Sequence, residues 1–320
     1  MKAFCISHVK DVDGVGAAAL VKAATGAEVV LSDYVTLMED LRTVPKDADA
    51  FVLCDLGSDN SNVDEFVSSM GSIAAHAKVT YIDHHLMSKQ TERGLKRAGV
   101  RVVHDEAECA AMLAYLTFRG TLPPKAKTIA LLGAVTDYMD DSPRAKEMME
   151  QADRQFVLLE ATMLAYAMAR KAGRGGFPDM LVEELSKMKH PHEIPGVPEL
   201  AVEQLSVMVA LEEVVRRKGK RMGGLAYMVT TQRSTGNVAK LLVGGFGVRV
   251  GVALKEQERG WYEVSLRCTS DCKVHLGKAI GKIASGLGGS GGGHRKAAGC
   301  RIPTGRMKDM LNALSDEVGA

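Results

Sequence analysis

Four places in the chain carry side chains that could act together on a metal ion or a phosphate. His8, Asp11 and Asp13 fall within six residues, Asp55 closes the apolar run Phe51-Val-Leu-Cys, Asp83-His84-His85 follows Tyr81-Ile, and Asp137 follows Leu131-Leu-Gly-Ala-Val-Thr. Taken singly, an aspartate after a strand reads as a helix cap, and a histidine pair as ordinary hydrogen-bonded structure. The set reads differently. Several carboxylates gathered in one crevice repel each other unless cations stand between them. Carboxylate oxygens with one or two imidazoles suit Mn²⁺ or Mg²⁺ better than thiolate-loving Zn²⁺.

The elements around these residues explain how they would meet. Lys2 to Ser7, Glu28 to Ser32, Phe51 to Asp55, Val79 to Asp83 and Val100 to His104 are short and rich in β-branched and aromatic residues, the pattern of strands. Helical stretches alternate with them at Gly14 to Thr25, Val63 to Ala75 and Glu108 to Arg119, followed by Lys125 to Thr136 and a long apolar helix over Arg144 to Lys171. This alternation predicts an α/β fold: a parallel sheet covered on both faces, which gathers ligand-binding groups beyond the carboxyl ends of its strands. Gly14-Val-Gly16 approaches a dinucleotide fingerprint. Six residues separate it from the first strand, however, and two of them are carboxylates that would repel a pyrophosphate.

Lys187 to Pro198 holds three prolines and a glycine, and breaks the helical pattern. After it, Leu200, Leu205, Met208, Leu211 and Val215 recur at helical spacing up to the basic run Arg216-Arg-Lys-Gly-Lys-Arg221, which reads as a solvated helix end. Strands at Leu225 to Thr230, Arg249 to Lys255 and Trp261 to Arg267, a helix over Val274 to Ala284 and the glycine-dense tract Gly286 to Gly293 make up a second, smaller α/β domain. The expected division is residues 1–190, a connecting segment over 191–218, and 219–320.

In this order the motifs resemble the DHH phosphoesterase family, named for the triplet that stands here as Asp83-His84-His85. Its acidic first motif is matched by Asp11-Val-Asp13-Gly14 with His8 upstream, its second by Asp55, and its fourth by Gly133-Ala-Val-Thr-Asp137. Gly291-Gly292-Gly293-His294-Arg295-Lys-Ala-Ala-Gly299 is similar to the signature of the DHHA1 domain, and Arg267 to that domain's substrate-contacting arginine. The resemblance implies two metal ions, Mn²⁺ with Mg²⁺ as the substitute. Asp55 would bridge them, with His8 and Asp11 on one ion and Asp13, His84 and Asp137 on the other. His85 would contact the phosphate or the leaving oxygen, and Asp83 would orient the histidines. The glycine run would let backbone amides approach an anion, with Arg267, His294 and Arg295 adding donors across a cleft.

The implied activity is hydrolysis of phosphodiester or phosphomonoester bonds in very short RNA or in adenosine 3′,5′-bisphosphate. The alternatives are a cyclic dinucleotide phosphodiesterase and a catalytically silent replication-complex subunit; the filled acidic positions speak against the second. Expected partners are short single-stranded RNA or DNA or a nucleotide, with a homodimer allowed. Composition is compatible with this reading and adds little. The chain is 46% hydrophobic and 25% charged with a net charge of +2, which neither demands nor forbids a nucleic-acid partner. No apolar run reaches the roughly 18 residues of a membrane span. The six cysteines lack metal-site or disulfide spacing and point to a cytoplasmic protein with reduced thiols.

Overall fold

The computed structural model describes residues 2–57, 62–171, 175–232, 234–258 and 260–319. The chain divides into two compact units, residues 1–204 and 205–320.

The first unit opens β1 (Ala3–His8), α1 (Val12–Thr25), β2 (Glu28–Ser32), α2 (Leu37–Asp40), β3 (Ala50–Cys54), α3 (Val63–Ala74), β4 (Lys78–Asp83), α4 (Lys89–Arg97) and β5 (Arg101–His104). The helices α5 (Ala110–Phe118), α6 (Ala126–Thr136), α7 (Pro143–Met149), α8 (Arg154–Lys171) and α9 (Phe177–Ser186) follow, and α10 (Val197–Lys218) runs past the division. The five strands form a fully parallel sheet in the order β2-β1-β3-β4-β5. Between β1 and β3 the strand order reverses, and that reversal is where open parallel sheets leave a crevice for ligands.

Alternation along the strands sorts side chains by size. Ala3, Cys5, Val52, Cys54 and Ile82 face one helical layer, while Phe4, Ile6, Phe51, Leu53, Val79 and Tyr81 face the other. The smaller side chains let α1 lie close to the sheet. Every residue of α1 from Val12 to Val21 is buried, as expected of a helix with apolar character on all sides. At Gly14 the approach is closest: a Cβ there would collide with the His8 carbonyl oxygen. Leu37, Phe66, Met70, Ile73 and Leu95 from α2, α3 and α4 fill the opposite layer.

One helix differs from the sequence reading. The apolar stretch 144–171 is not continuous but forms α7 and α8. Asp153 ends the interruption by accepting the Phe156 amide at 2.9 Å, a side-chain cap that restarts the helix.

The second unit contains β6 (Lys220–Met222), β7 (Leu225–Val229), α11 (Thr235–Phe246), β8 (Val250–Gln257), β9 (Trp261–Cys268), α12 (Leu276–Gly286), β10 (Ser290–Gly293), β11 (Ala297–Pro303) and α13 (Met307–Gly319). Its six strands run β10-β11-β9-β8-β7-β6, with β7 and β8 parallel and the other pairs antiparallel. Val252, Leu254, Val264 and Leu266 pack with Leu276, Ile280, Met310 and Leu314 on one face. Ala226, Met228 and Ala253 pack with Val238, Leu242, Leu211 and Val215 on the other. The glycine tract is therefore part of a sheet, not a linker. No described helix is long and apolar enough to cross a membrane, and all six cysteines are free thiols.

Candidate metal centre

His8 ends β1, Asp55 directly follows β3, and Asp83 ends β4, so adjacent parallel strands deliver all three to one edge of the sheet. Asp11 caps α1, its Oδ1 accepting the Gly14 amide at 2.9 Å. Asp137 sits at the C-terminus of α6. His84 links the group. Its Nε2 lies 3.2 Å from Asp55 Oδ1 and 3.6 Å from Asp13 Oδ2, and its Nδ1 lies 3.7 Å from Asp137 Oδ2. Asp13, His84 and Asp137 could hold one cation, their ligand atoms all lying within 4.8 Å of one another. His8 Nε2 is 3.6 Å from Asp11 Oδ2, which makes a second convergence of the same chemistry on the β1 side.

The buried carboxylates are not supported equally, and the difference tests whether cations fit here. Asp13 accepts the Ala110 amide at 2.7 Å and the Ala111 amide at 2.8 Å, at the N-terminus of α5. Hydrogen bonds to a charged group contribute about 1.5–3 kcal/mol each, so these two offset much of the cost of burying one carboxylate. Burial nevertheless raises its pKa above the ordinary range, with the charge of Asp11 adding to the shift and that of His84 opposing it. Asp55 accepts no such amides among the described residues, and its Oδ1 lies 3.2 Å from His84 Nε2. Burial pushes its pKa well up, and Asp11, Asp13, Asp137 and Asp83 push further. Its backbone is also left-handed (φ 57°), a conformation aspartate tolerates better than most residues. His8 is buried, its Nδ1 has no hydrogen-bond partner among the described residues, and burial lowers its pKa, so its ring is available as a neutral ligand. Clustered carboxylate oxygens beside a neutral imidazole form the donor set of Mn²⁺ or Mg²⁺. The residues fit those ions.

Asp83 and His85 form a separate pair. The His85 Nδ1–H donates to Asp83 Oδ1 at 2.7 Å, and the Tyr81 hydroxyl donates to Asp83 Oδ2 at 2.8 Å. Burial alone would raise the pKa of Asp83, but the charge and hydrogen bond of His85 outweigh it and hold the carboxyl below its usual range. His85 responds in kind: burial lowers its pKa, Asp83 raises it more, and the result is about 9.

Sequence reasoning missed Tyr34. It lies on the loop after β2, with its hydroxyl 3.2 Å from His85 Nε2 and its ring packed between those of His8 and His85. A single tyrosine in a turn carries no spacing signal. Only the parallel placement of β2 beside β1 brings it to the site.

Gly133 on α6 lies where that helix passes the site. A Cβ there would stand 2.6 Å from Asp13 Oδ1 and 2.7 Å from the Ala111 Cβ.

The remaining predicted residues lie in the second unit. Arg267, near the end of β9, donates to the Leu266 carbonyl at 2.9 Å, and Gly236 on α11 leaves room for its guanidinium, since a Cβ there would stand 2.8 Å from it. Gly291, Gly292 and Gly293 lie in β10, paired with Cys300, Gly299 and Ala298 of β11. The carbonyls of His294 and Arg295 accept the Gly277 and Leu276 amides at the start of α12, and the Arg295 guanidinium donates to the Lys273 carbonyl at 3.2 Å.

A family model for the DHHA1 domain matches residues 204–320. An uncharacterized protein of Methanocaldococcus jannaschii is 41% identical over 81 residues, 24% of this chain and 24% of that protein, so the match spans about a quarter of the relative's length. A pGpG-specific phosphodiesterase, PggH, from Vibrio cholerae matches in structure over 99% of both chains with a TM-score of 0.59 and 16% identity. RecJ of Thermus thermophilus in complex with Mn²⁺ matches over 99% of this chain and 52% of its own, with a TM-score of 0.61 and 18% identity. At these identities the likeness is one of fold.

Proposed function

We propose, from its site and from the DHHA1 match over residues 204–320, that this chain is a DHH/DHHA1-type phosphoesterase, dependent on Mn²⁺ or Mg²⁺ and acting on short oligonucleotides or nucleotides. Asp55 carries the reading. A buried carboxylate among other carboxylates either takes up a proton or meets a cation. Neutral His8, together with His84 3.2 Å from Asp55, favours the cation. Asp55 would bridge two ions, with His8 and Asp11 on one and Asp13, His84 and Asp137 on the other. Bound there, the ions supply an activated water and neutralise charge at the attacked phosphorus.

The chain's own groups do the positioning. Asp13 is anchored by the α5 amides, so the ligand cannot swing away as charge changes around it. Asp83 fixes the His85 ring through Nδ1, and Nε2, 3.2 Å from the Tyr34 hydroxyl, would contact the phosphate or the leaving oxygen. In the second unit, Arg267, the glycine strand Gly291-Gly292-Gly293, His294 and Arg295 form the nucleotide-gripping set. Very short RNA and adenosine 3′,5′-bisphosphate are the substrates this arrangement suits. A linear or cyclic dinucleotide is the second reading, favoured by the full-length structural likeness to a pGpG-specific enzyme. A screen in Mn²⁺ over RNA dinucleotides, short oligoribonucleotides, cyclic dinucleotides and adenosine 3′,5′-bisphosphate tests both readings. Hydrolysis of none of them overturns the assignment.

A further inference from the structure

Tyr34 is 48% exposed, yet its hydroxyl lies 3.2 Å from a histidine nitrogen of the site. An exposed tyrosine ordinarily keeps its hydroxyl hydrated, and a phenylalanine would pack against His8 and His85 equally well. Here the hydroxyl meets His85 Nε2, the nitrogen left over once Nδ1 is committed to Asp83. His85 Nδ1 is itself 4.0 Å from Asp55 Oδ1, so this contact stands at the border of the metal centre.

The loop that carries Tyr34 is braced rather than loose. Asp33 Oδ1 accepts the Val35 and Thr36 amides at 2.8 and 3.2 Å, and Asp33 Oδ2 takes an ion pair from Lys10 at 2.8 Å. Lys10 lies between His8 and Asp11, so the same pair ties the Tyr34 loop to the segment bearing two ligand candidates.

Resting on the phosphoesterase reading, we propose that Tyr34 is a substrate-contacting residue whose hydroxyl, paired with His85 Nε2, seats a non-bridging oxygen of the phosphate. The two groups are 3.2 Å apart, close enough for a single oxygen to lie within reach of both. In the absence of phosphate they satisfy each other. A bound phosphate oxygen accepts the Tyr34 hydroxyl hydrogen, which rotates from His85 Nε2 toward it.

Tyr34→Phe and Tyr34→Leu in the Mn²⁺-loaded full chain test this with three readouts: hydrolysis of a 5′-phosphorylated RNA dinucleotide, calorimetric titration with inorganic phosphate, and bound manganese. Tyr34→Phe is expected to keep its manganese, to lose roughly ten- to a hundredfold in kcat/KM, and to weaken phosphate binding by a similar factor, the loss expected for a hydrogen bond to a charged group. If Tyr34→Phe matches the wild type while Tyr34→Leu fails, the ring alone matters and the proposal is wrong. Loss of manganese from Tyr34→Phe also overturns it, by making the residue structural. If the wild-type chain hydrolyses nothing, the phosphoesterase reading falls, and the phosphate titration alone decides whether Tyr34 contacts phosphate.

Discussion

In the first unit, charge is concentrated in side chains at the ends of β1, β3 and β4, whereas the second unit's glycine tract is largely backbone, a strand held between α12 and β11. The contrast follows from what each sheet does to its residues. A parallel sheet lines up strand ends on one edge, so single residues far apart in sequence converge, and Asp55 meets His84 across 29 positions. An antiparallel edge strand offers its amides along its length, and shape is set by which neighbours press on it. Gly277 fits only because it has no side chain, since a Cβ there would overlap the Gly293 carbonyl oxygen. The first unit concentrates charge at strand ends, and the second keeps open backbone along a strand.

The largest expected effect comes from removing the cations that the first unit calls for. Chelator-treated protein should lose activity entirely and regain it with Mn²⁺, less well with Mg²⁺; revival by Zn²⁺ alone would contradict the donor-set argument. The same treatment should lower the melting temperature. A cation at a hundredfold excess over its Kd stabilises by about 2.7 kcal/mol, a shift that calorimetry resolves.

Asp55→Asn probes the bridge. Asparagine tolerates the left-handed backbone at this position, so the fold should persist. Activity should fall on the order of a thousandfold, and elemental analysis should find fewer than two manganese ions per chain. Two ions still bound would mean that Asp55 does not bridge.

Arg267→Ala moves the comparison to the second unit. It should depress kcat/KM for dinucleotides by roughly ten- to a hundredfold and act much less on a small ester such as p-nitrophenyl phosphate. Equal losses on both substrates would place Arg267 in the service of the fold.

Two glycines give the smallest effects and the sharpest contrast. Gly133→Ala forces a methyl against Asp13 and Ala111, and should cost about 1–3 kcal/mol in denaturant unfolding together with weaker Mn²⁺ binding. Gly292→Ala meets nothing within 4 Å and should leave stability within about 0.5 kcal/mol. Any change it causes in KM would then report on the approach of the substrate.

How much of this was legible in the sequence follows the same division. Asp13, Asp55, His84 and Asp137 could be named because each lies beside an apolar element, and the parallel sheet does the rest. The helix α4 was not legible because its sequence is almost wholly polar, with only Thr91 and Leu95 buried. The glycines of α11 hid that helix too. Tyr34 escaped because its role depends on a turn braced by Asp33 and Lys10, a tertiary arrangement with no sequence period. The glycine strand was recognisable as a motif, but its strand geometry depends on the pressure of α12.

Asp13 serves two structures at once, holding the first amides of α5 while lying beside His84. Any event that draws its oxygens toward an ion must loosen or tighten their grip on Ala110 and Ala111. The solvent-exchange rates of those two amide protons therefore become a built-in gauge of ion occupancy, readable by mass spectrometry or NMR without a substrate and without a label at the site.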